Sequence, residues 1–137
     1  MSLRIQAAAV AIMLGVCGSA SATEVMVGGP SFPGTAGNTG LVFCRIFNFG
    51  SVKVHFKQNR IYDSHGDIAT LFLNTCTGVA PTKSCAYGAE VASDFAYSCR
   101  SLTDDAADSL IGTIEIETSD GTVLSQLPMR AGVVQSR

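Results

Sequence analysis

Short stretches in which apolar and polar residues alternate constrain this chain more than any other feature. Residues 52–57 place three apolar side chains on one side of an extended strand, and two lysines and a histidine on the other. Successive side chains of a strand point to opposite faces, so the pattern predicts a strand with one buried and one wet face. Residues 41–47 and 110–117 alternate in the same way, and residues 23–137 contain no convincing helical stripe. The chain is therefore predicted to be all-β.

Turn signals divide the chain into six or seven short strands. Glycine, asparagine and aspartate cluster at residues 48–51, 63–67 and 118–121, and the last of these holds Asp-Gly, which is typical of a tight hairpin. Such a series predicts an antiparallel sandwich or a small barrel, and we favour an immunoglobulin-like β-sandwich over residues 39–137. Residues 23–38 hold four glycines and two prolines, which predicts a flexible lead-in with room for one short strand.

The first 22 residues have the pattern of a secretory signal. An early arginine precedes an apolar run over residues 5–16, and Ala20-Ser21-Ala22 fits a cleavage site before Thr23. The apolar run is shorter than the roughly 20 residues that a membrane-spanning helix needs. We therefore expect a protein exported to the periplasm or the exterior. Lipidation at Cys17 is the alternative, although the residue before it, Val16, is larger than such signals favour.

The charge balance excludes some partners. Nine basic and eleven acidic residues give a net charge of −2, and no basic stripe runs along the sequence, so nucleic acid is not an expected partner. After residue 22 no second apolar segment is long enough to cross a membrane. No nucleophile-and-base motif is present, so we expect neither an enzyme nor a cofactor.

Four cysteines follow the predicted signal: Cys44, Cys76, Cys85 and Cys99. An even number in an exported chain favours two disulfides, but four cysteines allow three pairings and the residues alone do not choose among them. A redox role for Cys76 and Cys85 is an alternative, although the chain has neither a C-x-x-C motif nor zinc-binding spacing.

The order of these motifs resembles a group of small exported bacterial β-sandwich proteins. The similarity covers roughly residues 40–127: a cysteine strand, a V-x-V-x strand, a D-x-x-G turn, the "YSCRS" strand and the late hairpin. The group has no assigned activity, so the resemblance implies a fold and an exported location. It also implies a Cys44–Cys99 disulfide, which leaves Cys76 to pair with Cys85.

One strand carries more aromatic side chains than its buried face can use. Within residues 41–47, Val42, Cys44 and Ile46 share one face of the strand. Phe43, Arg45 and Phe47 therefore point to the other face. Either another segment covers these side chains or they form an exposed patch that binds a partner. This patch is the best binding site that the sequence offers.

Two groups of carboxylates are weaker candidates. Asp104, Asp105 and Asp108 are close enough in sequence to suggest a calcium site, although a solvated loop is the plainer interpretation. Glu115 and Glu117 share a strand face at a spacing within reach of a glycosidase pair, but that face is predicted to be exposed.

The sequence thus predicts an exported, non-enzymatic module with a structural or partner-binding role. A small periplasmic redox protein or other enzyme is one alternative, and a calcium-dependent binding module is another.

Overall fold

The computed structural model describes residues 23–31, 40–91 and 95–134. The predicted signal, Cys17 and residues 32–38 of the predicted lead-in lie outside these residues. Within them, residues 23–31 form a full strand, which is longer than the short one that the sequence predicted.

The described residues form nine strands: β1 Thr23–Ser31, β2 Gly40–Asn48, β3 Val54–Asp63, β4 Leu71–Asn74, β5 Gly78–Val79, β6 Ser84–Val91, β7 Tyr97–Thr103, β8 Leu110–Thr118 and β9 Val123–Val134. They belong to one sheet in the order β4-β6-β2-β8-β9-β1-β7-β3-β5. Every neighbouring pair is antiparallel. The all-β, antiparallel part of the prediction is therefore confirmed.

The immunoglobulin-like sandwich of six or seven strands is not what the structure has. β9 pairs with β8 on one side and with β1 on the other, and β1 in turn pairs with β7. This run of hydrogen-bonded strands continues where a sandwich would divide into two sheets. The result is one curled sheet, a half-barrel, whose two halves face each other across the core.

The core lies on the inner face of the curl. Its largest fully buried members are Met26, Val42, Ile46, Ile61, Tyr87, Ile114 and Ile116. Cys44 on β2 and Cys99 on β7 form a disulfide through this core, with Cα atoms 5.9 Å apart. Because β2 and β7 belong to opposite halves, the bridge ties the two halves of the sheet together.

Polar contacts hold the two ends of the sheet near each other. Ser101 Oγ on β7 lies 3.0 Å from Tyr87 Oη on β6 and 2.8 Å from Asn59 Oδ1 on β3. Asn59 Nδ2 donates to the Cys76 carbonyl over 2.7 Å. Cys76 also forms a disulfide with Cys85 on β6, with Cα atoms 5.0 Å apart. These bonds fix the curl on the side where the sheet stays open.

Candidate functional site

The outer face of β2 presents the side chains that the sequence singled out. Cys44 is fully buried, and the residues on either side of it in the strand point away from the core. Phe43 and Phe47 are half-buried, and Arg45 is exposed. The structure thus brings Phe43, Arg45 and Phe47 to one face, as the alternation predicted.

Phe43 is seated by neighbours from β4 and β6. A Cβ atom on Gly88, directly opposite on β6, would lie only 2.8 Å from Phe43 Cδ1, so a glycine is needed beneath the ring. Phe72 on β4 contacts the Phe43 ring edge to face, with centroids 5.7 Å apart. Arg45 Cζ lies 4.9 Å from the centroid of the same ring. Phe43 is therefore partly covered, and Phe72 carries the exposed aromatic surface.

Two carboxylates on β8 hold the Arg45 guanidinium. Arg45 Nε lies 2.5 Å from Glu115 Oε2, and Arg45 Nη2 lies 2.9 Å from Glu117 Oε1. Glu115 also accepts hydrogen bonds from Thr113 Oγ1 over 3.1 Å and from Gln126 Nε2 over 2.8 Å. Both glutamates are buried, so the prediction that their strand face is exposed is wrong: the ion pairs with Arg45 cover them. Arg45 is therefore fixed at the surface by partners with little freedom of their own.

The surroundings of Arg45 and Glu115 favour the charged forms of both side chains. Partial burial acts to raise the pKa of Glu115, but hydrogen bonds from Arg45, Thr113 and Gln126 outweigh it, and the pKa lies below its ordinary value. The hydrogen bond to Glu115 raises the pKa of Arg45, which favours the charged form of the guanidinium as well. A glycosidase acid needs a raised pKa, so the lowered pKa of Glu115 does not fit the general acid of the pair considered from sequence.

Apolar side chains flank the charged network. Phe72 is 53% exposed and Ile111, on β8 opposite Phe47, is 56% exposed. Between Arg45 and Ile111 lies a shallow groove of about 170 Å³, whose lining includes Phe47 and Thr113. Neither Phe72 nor Ile111 could be identified from the sequence, because only the arrangement of strands in the sheet brings Phe72 to the Phe43 ring and Ile111 opposite Phe47. We call the set Phe43, Arg45, Phe47, Phe72, Ile111, Glu115 and Glu117 the β2–β8 face.

The three aspartates proposed for calcium do not converge. Asp104 Oδ2 pairs with Lys57 Nζ. Asp105 Oδ2 accepts a hydrogen bond from the His55 backbone N–H over 2.7 Å and lies 3.4 Å from the His55 ring. Asp108 is exposed, and within the described ranges no three histidine, cysteine or acidic side chains form a group that could hold a metal ion. The first two carboxylates thus tie the β7–β8 connection to β3.

Both disulfides are buried. Cys44, Cys76 and Cys99 are fully inaccessible and Cys85 is 7% exposed. Reactive cysteines lie where a thiolate can form and be reached, so this burial favours a structural role for both pairs over a redox role for Cys76 and Cys85.

Comparison with known proteins identifies no relative: no protein-family model, curated protein or solved structure matches this chain. The resemblance to small exported bacterial proteins therefore stays a prediction. No helix in the described part of the chain has the length and apolar character that a membrane crossing needs.

Proposed function

We propose that this chain is an exported, non-enzymatic binding module whose β2–β8 face contacts a protein partner. The observation that carries this proposal is the exposure of Phe72 and Ile111 on either side of an arginine that two buried carboxylates hold in place. The partner would offer apolar side chains to the two exposed residues and polar groups to Arg45.

The physical reason is preorganisation. Aromatic residues and arginine are enriched at the centres of protein interfaces, and binding is weakened by the entropy lost when free side chains become ordered. Arg45 is already fixed by Glu115 and Glu117, and Phe43 is already packed between Phe72 and Gly88. Little ordering is left for these side chains when a partner arrives.

Export is supported by the predicted signal over residues 1–22 and by the two disulfides, which persist in oxidising compartments. The mass of the unreduced, alkylated protein tests this part separately. We expect a chain that begins at Thr23 and carries no alkylated cysteine. A chain that keeps its first 22 residues, or that has free thiols among the last four cysteines, would contradict export with two disulfides.

The binding proposal is tested by cross-linking the tagged protein to its partner in the cell envelope of the source organism. The variants Phe72→Ser and Ile111→Ser remove exposed apolar groups from the face, and Phe43→Ser and Phe47→Ser remove the two half-buried ones. Val52→Ser is the matched control, because Val52 is 72% exposed and lies outside the face.

We expect one partner to be captured by the wild type and by Val52→Ser, and to be lost with Phe72→Ser and Ile111→Ser. Unfolding temperatures check that the two exposed-site variants still fold. Capture that is equal in all folded variants would show that the β2–β8 face is not the binding surface.

A further inference from the structure

Three arginines that are far apart in sequence stand in one line across the sheet. Arg60 on β3 is directly opposite Arg100 on β7, Arg100 is opposite Val27 on β1, and Val27 is opposite Arg130 on β9. Neighbouring strands lie about 4.8 Å apart, so the line spans about 14 Å. We call Arg60, Arg100 and Arg130 the arginine row.

The row lies on the outer surface of the sheet, and its Arg130 end is next to the β2–β8 face, because β9 pairs with β8 and Met129 lies opposite Gly112, the neighbour of Ile111. Arg100 follows Cys99, whose side chain enters the core, and therefore points outward. Arg60 and Arg130 are likewise each next to a buried core residue in their strands. Cys99 and Cys44 meet inside the curl, so the outer surfaces of β7 and β2 face in opposite directions.

A tyrosine hydroxyl completes one end of the row. Arg60 Nη1 donates a hydrogen bond to Tyr62 Oη over 3.3 Å. That bond lowers the pKa of Tyr62 from its ordinary value, and the guanidinium of Arg100 acts in the same direction. The Tyr62 O–H proton stays available, so two guanidinium groups and one hydroxyl can donate to a single acceptor placed between them.

The positive charge of the row is not neutralised by the described part of the chain. The ion pairs among the described residues have Arg45, His55 and Lys57 as their basic partners, and none of them involves an arginine of the row. Like charges directly opposite each other on neighbouring strands destabilise a sheet. The chain as a whole has a net charge of −2, so the row is not a consequence of general basicity. An anion bound between the arginines would relieve the repulsion.

We propose that the arginine row is a binding site for a ligand that carries two or more phosphate groups. A tetrahedral phosphate has enough acceptor oxygens for the forks of Arg60 and Arg100 together with the Tyr62 hydroxyl, whereas a carboxylate has only two oxygens. Arg130 lies two strands beyond Arg100, about 10 Å away, and receives a second phosphate of the same ligand. The proposal does not rest on the β2–β8 face or on its proposed partner.

Calorimetric titration of the folded protein with tripolyphosphate tests the proposal, with inorganic phosphate as the single-phosphate probe. We expect tripolyphosphate to bind more tightly than phosphate, and its affinity to fall as the salt concentration rises. Arg100→Gln should weaken tripolyphosphate binding about tenfold, and Arg130→Gln about threefold. Lys83→Gln removes one exposed positive charge elsewhere and should leave the affinity unchanged.

A second arm identifies the source of the phosphates. Vesicles that contain phosphatidylglycerol present the same group on lipid headgroups, and co-sedimentation that is lost with Arg100→Gln but kept with Lys83→Gln would assign the site to a bilayer. Binding of tripolyphosphate alone would assign it to a soluble ligand.

The unfolding temperature separates this role from a structural one. We expect Arg100→Gln to unfold at the same temperature as the wild type or at a higher one, because a like-charge contact is removed. The proposal is overturned if neither probe binds, or if Arg100→Gln, Arg130→Gln and Lys83→Gln weaken binding equally. Neither result would bear on the β2–β8 face.

Discussion

Asn48 ends β2 and is fully buried. Its Nδ2 donates to the Val52 carbonyl over 2.7 Å and to the Val79 carbonyl over 3.0 Å, while its Oδ1 accepts a hydrogen bond from Gly50 N over 2.9 Å. One side chain therefore joins the end of β2, the connection to β3 and the short strand β5. We expect its replacement by aspartate, which has nearly the same shape, to be among the most damaging single changes in the protein.

The magnitude follows from those three bonds. Asn48→Asp removes both amide donors and turns a carboxylate oxygen toward two carbonyl oxygens. Two lost hydrogen bonds at buried acceptors cost about 1 to 1.5 kcal/mol each. The unpaired buried charge brings the total to about 3 to 5 kcal/mol near neutral pH. Asn48→Ala loses these two bonds and also the acceptor of the Gly50 N–H, but it adds no charge, and we expect a cost of about 3 kcal/mol.

The sign of the pH dependence separates the two variants. Burial against carbonyl groups raises the pKa of the introduced carboxyl above its unfolded value of about 3.9, so the folded variant holds the proton more tightly than the unfolded one. Relative to the wild type, the loss of stability is therefore smallest below about pH 4 and grows by about 1.4 kcal/mol per pH unit up to the folded pKa.

Urea unfolding followed by circular dichroism at pH 4 and pH 7 measures this effect. The difference between each variant and the wild type should increase with pH for Asn48→Asp and stay constant for Asn48→Ala. Equal differences for Asn48→Asp at the two pH values would refute the reasoning, because a carboxyl with an ordinary pKa would not be facing the two carbonyls.

Three further predictions concern the β2–β8 face and the core. Glu115→Gln should cost about 1 kcal/mol near pH 7, since Arg45 is half exposed and solvent screens part of the pair. The pKa of Glu115 is lowered in the folded state, so its contribution is present above about pH 4.5 and lost in acid; urea unfolding at pH 7 and pH 3 should show the cost shrinking. Tyr87→Phe removes a buried hydroxyl and should cost about 1 kcal/mol, measured in the same way. Replacing Cys44 and Cys99 together by alanine should lower the free energy of unfolding by about 4 kcal/mol, because that disulfide closes a long loop. Replacing Cys76 and Cys85, which close a short loop, should lower it by about 2.7 kcal/mol; thermal unfolding measures both.

The parts of the fold that depend on neighbouring residues could be predicted from the sequence. The alternation around Cys44 places β2 correctly, because which face a side chain takes is set by its position in the strand. The hairpin between β8 and β9 was also predicted, and Gly121 adopts a φ of 86° there, as a tight turn after Asp120 requires.

Strand β6 was missed because its composition does not favour a strand. Its sequence is "SCAYGAEV", and alanine and glycine are depleted in strands. Gly88 is there because the ring of Phe43, on the neighbouring strand, fills the space where a side chain would be. This requirement comes from a residue distant in sequence, and no local pattern expresses it.

The turn predicted after β2 connects strands that do not pair. β2 lies between β6 and β8, whereas β3 lies between β7 and β5, so the chain crosses from one half of the sheet to the other at this point. Asn48 and its three hydrogen bonds mark the crossing. A turn signal fixes a change of direction, but which strands then pair depends on the whole chain. For the same reason the single sheet was not predicted, since β1 and β9 join its halves only through long-range pairing.

The two proposed sites arise from one geometric rule. Alternation sends Cys44 and Cys99 into the core, so the residues beside them must point outward, on opposite sides of the domain. On β2, Arg45 meets two carboxylates of β8, whereas on β7 Arg100 meets another arginine and a tyrosine hydroxyl. The register of the sheet thus places an ion-paired arginine among apolar groups around β2, and places across β3, β7 and β9 a row of arginines that has no ion pair among the described residues. The two sites share no side chain, but Arg130 lies beside Ile111 across the β8–β9 pair. We therefore expect Arg100→Gln to leave partner binding at the β2–β8 face unchanged, because Arg100 is three strands away from β8, and Arg130→Gln to affect both sites.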